Sequence, residues 1–230
     1  MAHAASGLVA PGGENEGVAV PKQTNKRDSK KEKLFSAALK LIGERGYAGA
    51  SVEEIASRAG VAKGVVYYYF DSKAHLAEQI IDTGLGILAS RLSEVVSDEL
   101  TPADNMRALI RQQLRLVERE RDFAKFLLSE MWHDDAEWRG TLDARINDIV
   151  DIYLGIIARG QASGAFRTDI NTDFVARTLP ATILAGALNW TVVRPEMDLD
   201  TLTSEFTDYA LAILAVPGDA GGPARTTKSA

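Results

Sequence analysis

Between Ser51 and Phe70 the chain reads SVEEIASRAGVAKGVVYYYF, and these residue types suit contact with a polyanion better than bond-breaking chemistry. Two short helical patterns flank a tight turn at Ala59-Gly60-Val61, the sequence form of a helix-turn-helix, whose second helix fits a major groove. Small Ala62 and Gly64 at the start of that second helix let its backbone approach base edges closely. Lys63 supplies charge, and Tyr67, Tyr68 and Tyr69 carry hydroxyls able to reach phosphate oxygens. Lys73 opens the following helix, where unpaired backbone N–H groups also favour phosphate. Four consecutive aromatic residues, Tyr67 to Phe70, point all round a helix and cannot all be buried. Val66 and Phe70, four apart, are the expected core pair, which leaves one or two tyrosines exposed.

The charge distribution supports the same reading. Residues 21–75 hold eleven Lys and Arg against six Asp and Glu. The whole chain is at −6, so the remainder stands at −11. A basic module joined to an acidic body has this asymmetry. With 230 residues, 46% of them hydrophobic, there is material for one or two compact units. The absence of cysteine excludes a disulfide framework, a thiolate metal site and a cysteine nucleophile. No GxSxG elbow, P-loop, dinucleotide fingerprint or HExxH occurs, and three scattered histidines offer no triad, so the chain is not expected to be an enzyme. The longest uncharged apolar-rich run, Thr178 to Val193, is shorter than the ~20 residues a bilayer span needs. A soluble, cytoplasmic protein without a membrane partner is the expectation.

The elements that must position the motif are helices throughout, and the fold class is all-α. Ser29 to Glu32 and Ser51 to Glu54 both have capping-box form, and Gly46 and Gly60 fit left-handed stops. Ser72 can cap a long helix over 73–96, and Thr101-Pro102 starts another. Further helices are expected over 121–134, 137–163, 171–193 and 199–215. Residues 1–27 and 217–230 lack any sustained period and read as mobile tails. In the first of these, Lys22, Lys26 and Arg27 add cations that suit minor-groove or phosphate contact, or solubility alone.

The segment Ala59–Lys73, AGVAKGVVYYYFDSK, resembles the AGVxKGxxYxYFxSK signature of TetR-family transcriptional regulators, and the likeness extends from Lys31 to Lys73. The resemblance implies a three-helix DNA-binding head over 28–74 and a larger helical ligand-binding and dimerising body over 75–216. It also implies repression of transcription relieved by a small molecule. Carried over by position, Ser51, Ala62, Lys63, Gly64, Val65, Tyr67, Tyr68, Tyr69 and Lys73 become the DNA-contact residues. Ala62 stands where serine is common and Val65 where a polar residue is frequent, so base reading by hydrogen bonds is sparse and DNA shape gains weight.

Within the body, Phe123, Phe126, Leu127, Met131, Trp132, His133, Trp138 and Tyr153 form the expected effector pocket, with Arg107, Arg111 or His133 as polar anchors. The same aromatics equally describe a core. Glu130, His133 and Glu137 have a helical spacing compatible with a metal, but no second histidine lies near, and neither metal nor cofactor is expected. Gly84 and Gly86 inside the long helix admit a close neighbour, a ligand or a bend. Leu179, Ile183, Ala187 and Trp190 with Leu202, Phe206, Tyr209 and Ile213 are the expected homodimer face. The partners implied are double-stranded DNA, a small-molecule effector and a second copy of the chain. An activator, a ligand-independent regulator and an acyl-CoA-responsive regulator remain alternatives.

Overall fold

The computed structural model describes residues 28–133, 136–193 and 196–216. The expected tails, with Lys22, Lys26 and Arg27, lie outside the described residues. Among the described residues there are nine helices and no strand: α1 Asp28–Gly49, α2 Val52–Ala59, α3 Lys63–Tyr69, α4 Lys73–Val95, α5 Pro102–Arg119, α6 Arg121–Glu130, α7 Arg139–Ala162, α8 Thr172–Val193 and α9 Leu199–Leu214.

Local chemistry sets most helix ends. At Ser51 the hydroxyl accepts from the Glu54 amide (3.2 Å) while the Glu54 carboxylate accepts from the Ser51 amide (3.2 Å), the reciprocal box the sequence predicts. Gly60 ends α2 at φ 67°, ψ 35°. Ser72 caps α4 through the His75 amide, and Thr101 caps α5 ahead of Pro102. Three expectations fail, one of them the left-handed stop at Gly46, which α1 passes on its way to Gly49. The first helix already runs from Asp28, so Ser29 lies inside its first turn and does not cap it. The helix after residue 121 stops at Glu130, not 134, so Trp132 and His133 lie in the connection to α7. Gly46 bends α1 at φ 74°, ψ 165°, a backbone region open almost only to glycine.

Helices α1–α3 form the head, and α4 runs from it into the body. There α4 packs along α7, α5 lies against α8 and α9, and α6 lies against α1. Two glycines permit the closest approaches. A Cβ at Gly84 of α4 would overlap the Phe123 ring, which settles the reading of that glycine as room for a close neighbour. A Cβ at Gly86 meets only Arg145, at ordinary distance. At Gly160 in α7 a Cβ would collide with the buried Phe166 ring. Phe166 in turn ties the α7–α8 turn back to Gly160, and the next residue, Arg167, donates to the Leu214 carbonyl at the end of α9 (2.9 Å). Gly160→Ala is therefore expected to overpack this corner at a cost of about 1–3 kcal/mol. A scan of thermal unfolding should show the midpoint lowered by about 2–4 °C for each kcal/mol.

The α8 helix is apolar on both sides, which decides where the dimer residues go. Leu179, Ile183 and Ala187 are buried in the protomer's own core, correcting their assignment to a dimer face. On α8 Phe174 and Thr182 are exposed, with half-buried Thr178, Gly186 and Trp190 in the same row; on α9 Tyr209 is exposed, while Leu202, Phe206 and Ile213 are half-buried against the core. Phe206 sits directly over Gly186, where a Cβ would come within 2.7 Å of its ring.

Candidate nucleic-acid interface and effector chamber

Helix α3 is anchored from one side only. Val66 and Phe70 are buried at 2% and 1% exposure, with Phe70 stacked on Phe35 of α1 at 5.7 Å. Val52, Ile55 and Ala56 pin α2 to the same small core. The opposite side of α3 is open: Ala62, Lys63 and Gly64 are exposed, and nothing lies within 4 Å of a Cβ built on Gly64. Tyr67 and Tyr68 are 48% and 62% exposed, whereas Tyr69 is half-buried, so two of the three tyrosines face outward. Val65 is half-buried beside them. The exposed edge of α3 is thus a low ridge of backbone and small side chains flanked by phenol hydroxyls, a shape that enters a groove without steric obstruction.

The acids near this ridge are engaged. Glu53 pairs with Lys63, whose ammonium also lies 5.8 Å from the Tyr67 ring. Glu44 takes both terminal nitrogens of Arg58 (2.8 Å each), and Glu54 pairs with Arg45 (2.7 Å). Hydrogen bonds from Arg58, Lys63 and Ser51 hold the carboxyls of Glu44, Glu53 and Glu54 respectively below the usual carboxylate range. These carboxylates therefore stay ionised and bound to cations. Ser51 spends its hydroxyl within the same box, donating to the Glu54 carboxylate at 2.8 Å. Lys73 is placed differently from the other residues expected to contact DNA: its Nζ donates to the carbonyls of Tyr47 (2.8 Å) and Ala50 (2.9 Å).

The residues expected to form one effector pocket do not come together. Trp132 is 77% exposed, and His133 and Arg107 are exposed as well. Arg111 is bound by Asp200 of α9. Trp138 packs against Tyr47 of α1, and Phe123 faces a cleft of about 450 Å³ between α1, α4 and the α5–α6 corner. Phe126 and Tyr153 are core residues. Of these residues, Leu127 and Met131 line the space between α4–α8, together with Leu85, Leu88, Val150, Leu184 and the polar Gln113 and Arg177. This chamber is about 60 Å³, the volume of roughly two water molecules. At its inner wall the Tyr153 hydroxyl donates to Gln113 Oε1 (2.9 Å), and Gln113 Nε2 donates to the Pro180 carbonyl (2.6 Å). Burial raises the Tyr153 pKa far above that of a free phenol, so the hydroxyl remains a donor. Gln113 escapes a reading of the sequence, although a glutamine within an apolar helix face is its signal. Glu130 is buried, His133 and Glu137 lie beyond α6, and among the described residues no group of acids and histidines is arranged to hold a metal. No described helix is long and apolar enough to cross a membrane.

Comparison with known proteins agrees with this geometry. Residues 34–80 match the family model described as bacterial regulatory proteins, tetR family, and residues 99–214 match the tetracyclin repressor-like, C-terminal domain. The HTH-type transcriptional repressor KstR2 of Rhodococcus jostii is 26% identical over 195 residues, covering 84% of this chain and 95% of the relative. The fatty acid metabolism regulator protein of Bacillus subtilis is 23% identical over 179 residues, covering 78% and 92%. Among solved structures, the B. subtilis transcriptional regulator FadR in complex with stearoyl-CoA superposes with a TM-score of 0.70 at 22% identity. That match covers 79% of this chain and 98% of the other.

Proposed function

The chain belongs to the TetR family of bacterial regulatory proteins, and from that premise we propose a homodimeric transcriptional repressor that a small molecule releases from a near-palindromic operator. The carrying observation is the small chamber between α4, α5, α6, α7 and α8. Its walls are mostly apolar, with Gln113 and Arg177 as their polar members, and one of them is α4, the helix that begins at Ser72–Lys73 against the head. A space of about 60 Å³ admits an effector only if α4, α7 and α8 part. The effector therefore binds the parted arrangement better than the narrow one, which is the condition for shifting an equilibrium between them. A coupling of about 1–3 kcal/mol weakens operator binding about 5–150-fold. Lys63, Gly64, Val65, Tyr67 and Tyr68 present the DNA-facing ridge, and the faces of α8 and α9 that carry Phe174, Thr182 and Tyr209 pair two copies.

A second reading specifies the effector as a fatty-acyl thioester. The apolar chamber favours it, as does the stearoyl-CoA complex of the B. subtilis relative. Whether an operator site represses or activates depends on its place relative to the promoter.

The test fills the chamber. Leu184→Trp puts an indole into the space beside Gln113 and Met131. Operator affinity is expected to stay within threefold of wild type, while release by stearoyl-CoA, or by any compound that releases the wild-type protein, is lost. Release of the filled variant at wild-type effector concentration contradicts the chamber. Release of the wild type by stearoyl-CoA but not by free CoA supports the acyl reading, and no release by either counts against it.

A further inference from the structure

We propose that Lys73, Tyr47 and Trp138 form a joint through which the body sets the bearing of the DNA-binding head, with Lys73 a positioning residue and not a phosphate contact. The proposal rests on the DNA-binding reading above and adds the means by which the head is held.

Lys73 is the first residue of α4, and its ammonium is directed at the end of α1. Two of its N–H groups go to the Tyr47 and Ala50 carbonyls, at 2.8 and 2.9 Å, and the nitrogen stands 4.0 Å from the centre of the Tyr47 ring. Carbonyls at a helix end and an aromatic face both attract a cation, so this ammonium finds its partners within the chain. The bend at Gly46 is what presents Tyr47 and Ala50 to it. The same Tyr47 ring meets Trp138 edge-on at 4.4 Å and 71°. Trp138 is 4% exposed at the entry to α7, the helix that packs along α4. Its Nε1 has no hydrogen-bond partner among the described residues, so ring packing holds it there. Buried Glu130, at the end of α6, adds its negative field to the same place. The end of α1, the start of α4 and the α6–α7 corner therefore meet on one phenol ring. A displacement of α7 against α4 reaches α1 through Trp138 and Tyr47.

A phosphate contact and a joint predict different salt behaviour. Removing one lysine–phosphate interaction lowers the slope of log affinity against log salt by about one, whereas breaking an internal interaction leaves the slope alone. The test uses the full chain and the duplex it enriches from a random pool, titrated at several salt concentrations. Lys73→Met, Lys73→Arg and Tyr47→Leu are each expected to weaken binding at least tenfold with an unchanged slope. Tyr47→Phe, which keeps the ring, should bind like wild type. The double variant Lys73→Met/Tyr47→Leu should bind within threefold of the weaker single variant, because both changes open one joint. Because a homodimer carries the change once in each half-site, the proposal is overturned if Lys73→Met lowers the slope by about two while Lys73→Arg restores binding. It is equally overturned if Tyr47→Leu binds like wild type or if the two effects multiply. Should Lys73→Met fail to fold, Lys73→Arg with Tyr47→Leu and Tyr47→Phe carries the same comparison. Failure of the wild-type chain to enrich any duplex would count against the DNA-binding reading itself, separately from the joint.

Discussion

Replacing Gly64 by glutamate should abolish operator recognition while leaving the protein at least as stable as before. Gly64 is the second residue of α3, exposed, with nothing within 4 Å of the position a Cβ would take. A side chain there meets no part of the folded chain. Glycine is roughly 1 kcal/mol poorer than a good helix former, and an acidic residue in the first turn opposes the positive end of the helix, so both local effects favour the variant. On DNA the signs reverse. The glutamate enlarges the lowest part of the ridge and places a negative charge against phosphates, once in each half-site. Like-charge contact of this kind costs several kcal/mol, and affinity should fall on the order of 10³-fold. Thermal unfolding and operator titration of the same preparation separate the two effects. A variant that binds DNA normally would remove α3 from the interface, whatever the fold resembles.

The second large effect concerns the pairing of two copies. Tyr209 is 49% exposed on α9, beside Trp190, Met197 and Phe206 around an open cleft that Thr182 and Glu205 also line. On α8 the neighbouring stripe of Phe174, Thr178, Thr182 and Gly186 is small or apolar and carries no charge. Stable pairs bury about 800 Å² on each partner, with large aromatics as their anchors. Tyr209→Arg removes one such anchor and puts a cation in its place, and two-fold symmetry repeats the change on the partner. Removal of a central anchor costs about 2 kcal/mol or more, and the symmetric pair is deprived of it twice. Sedimentation should then show single chains at micromolar concentration, and operator affinity should fall at least a hundredfold because one head no longer brings the other. A dimer that survives Tyr209→Arg together with Thr182→Arg would place the interface elsewhere.

What could be read in the sequence was whatever local chemistry determines. The helix-turn-helix was readable because its parts act within a few residues: the Ser51–Glu54 box, the Gly60 stop, and Val66 four residues before Phe70. Each is an interaction that spacing alone specifies. Helices α8 and α9 were also evident as elements, but not their faces. A helix apolar all round gives no moment to tell Leu179, Ile183 and Ala187, which point inward, from Phe174 and Thr182, which do not. The pocket was least legible, because partners far apart in the chain determine it. Trp138 finds Tyr47, Phe123 finds Gly84, and Arg111 finds Asp200, and no periodicity announces such pairs. Trp132 and His133 were drawn into the pocket by their aromatic character, yet α6 ends before them and leaves them at the surface. Lys73 shows the same thing in one residue. Its place in the signature suggests an outward charge, while the bend at Gly46, distant in the chain, supplies it with inward acceptors.

The most direct measurement is selection of bound duplexes from a random pool by the full-length chain, with Gly64→Glu run in parallel. A DNA-reading dimer will enrich one near-palindromic sequence whose half-sites lie about one turn of DNA (~34–36 Å) or somewhat more apart, and Gly64→Glu will not enrich it. A pool that yields no preferred sequence at low or moderate salt, or yields the same one with Gly64→Glu, would contradict this reading of the head.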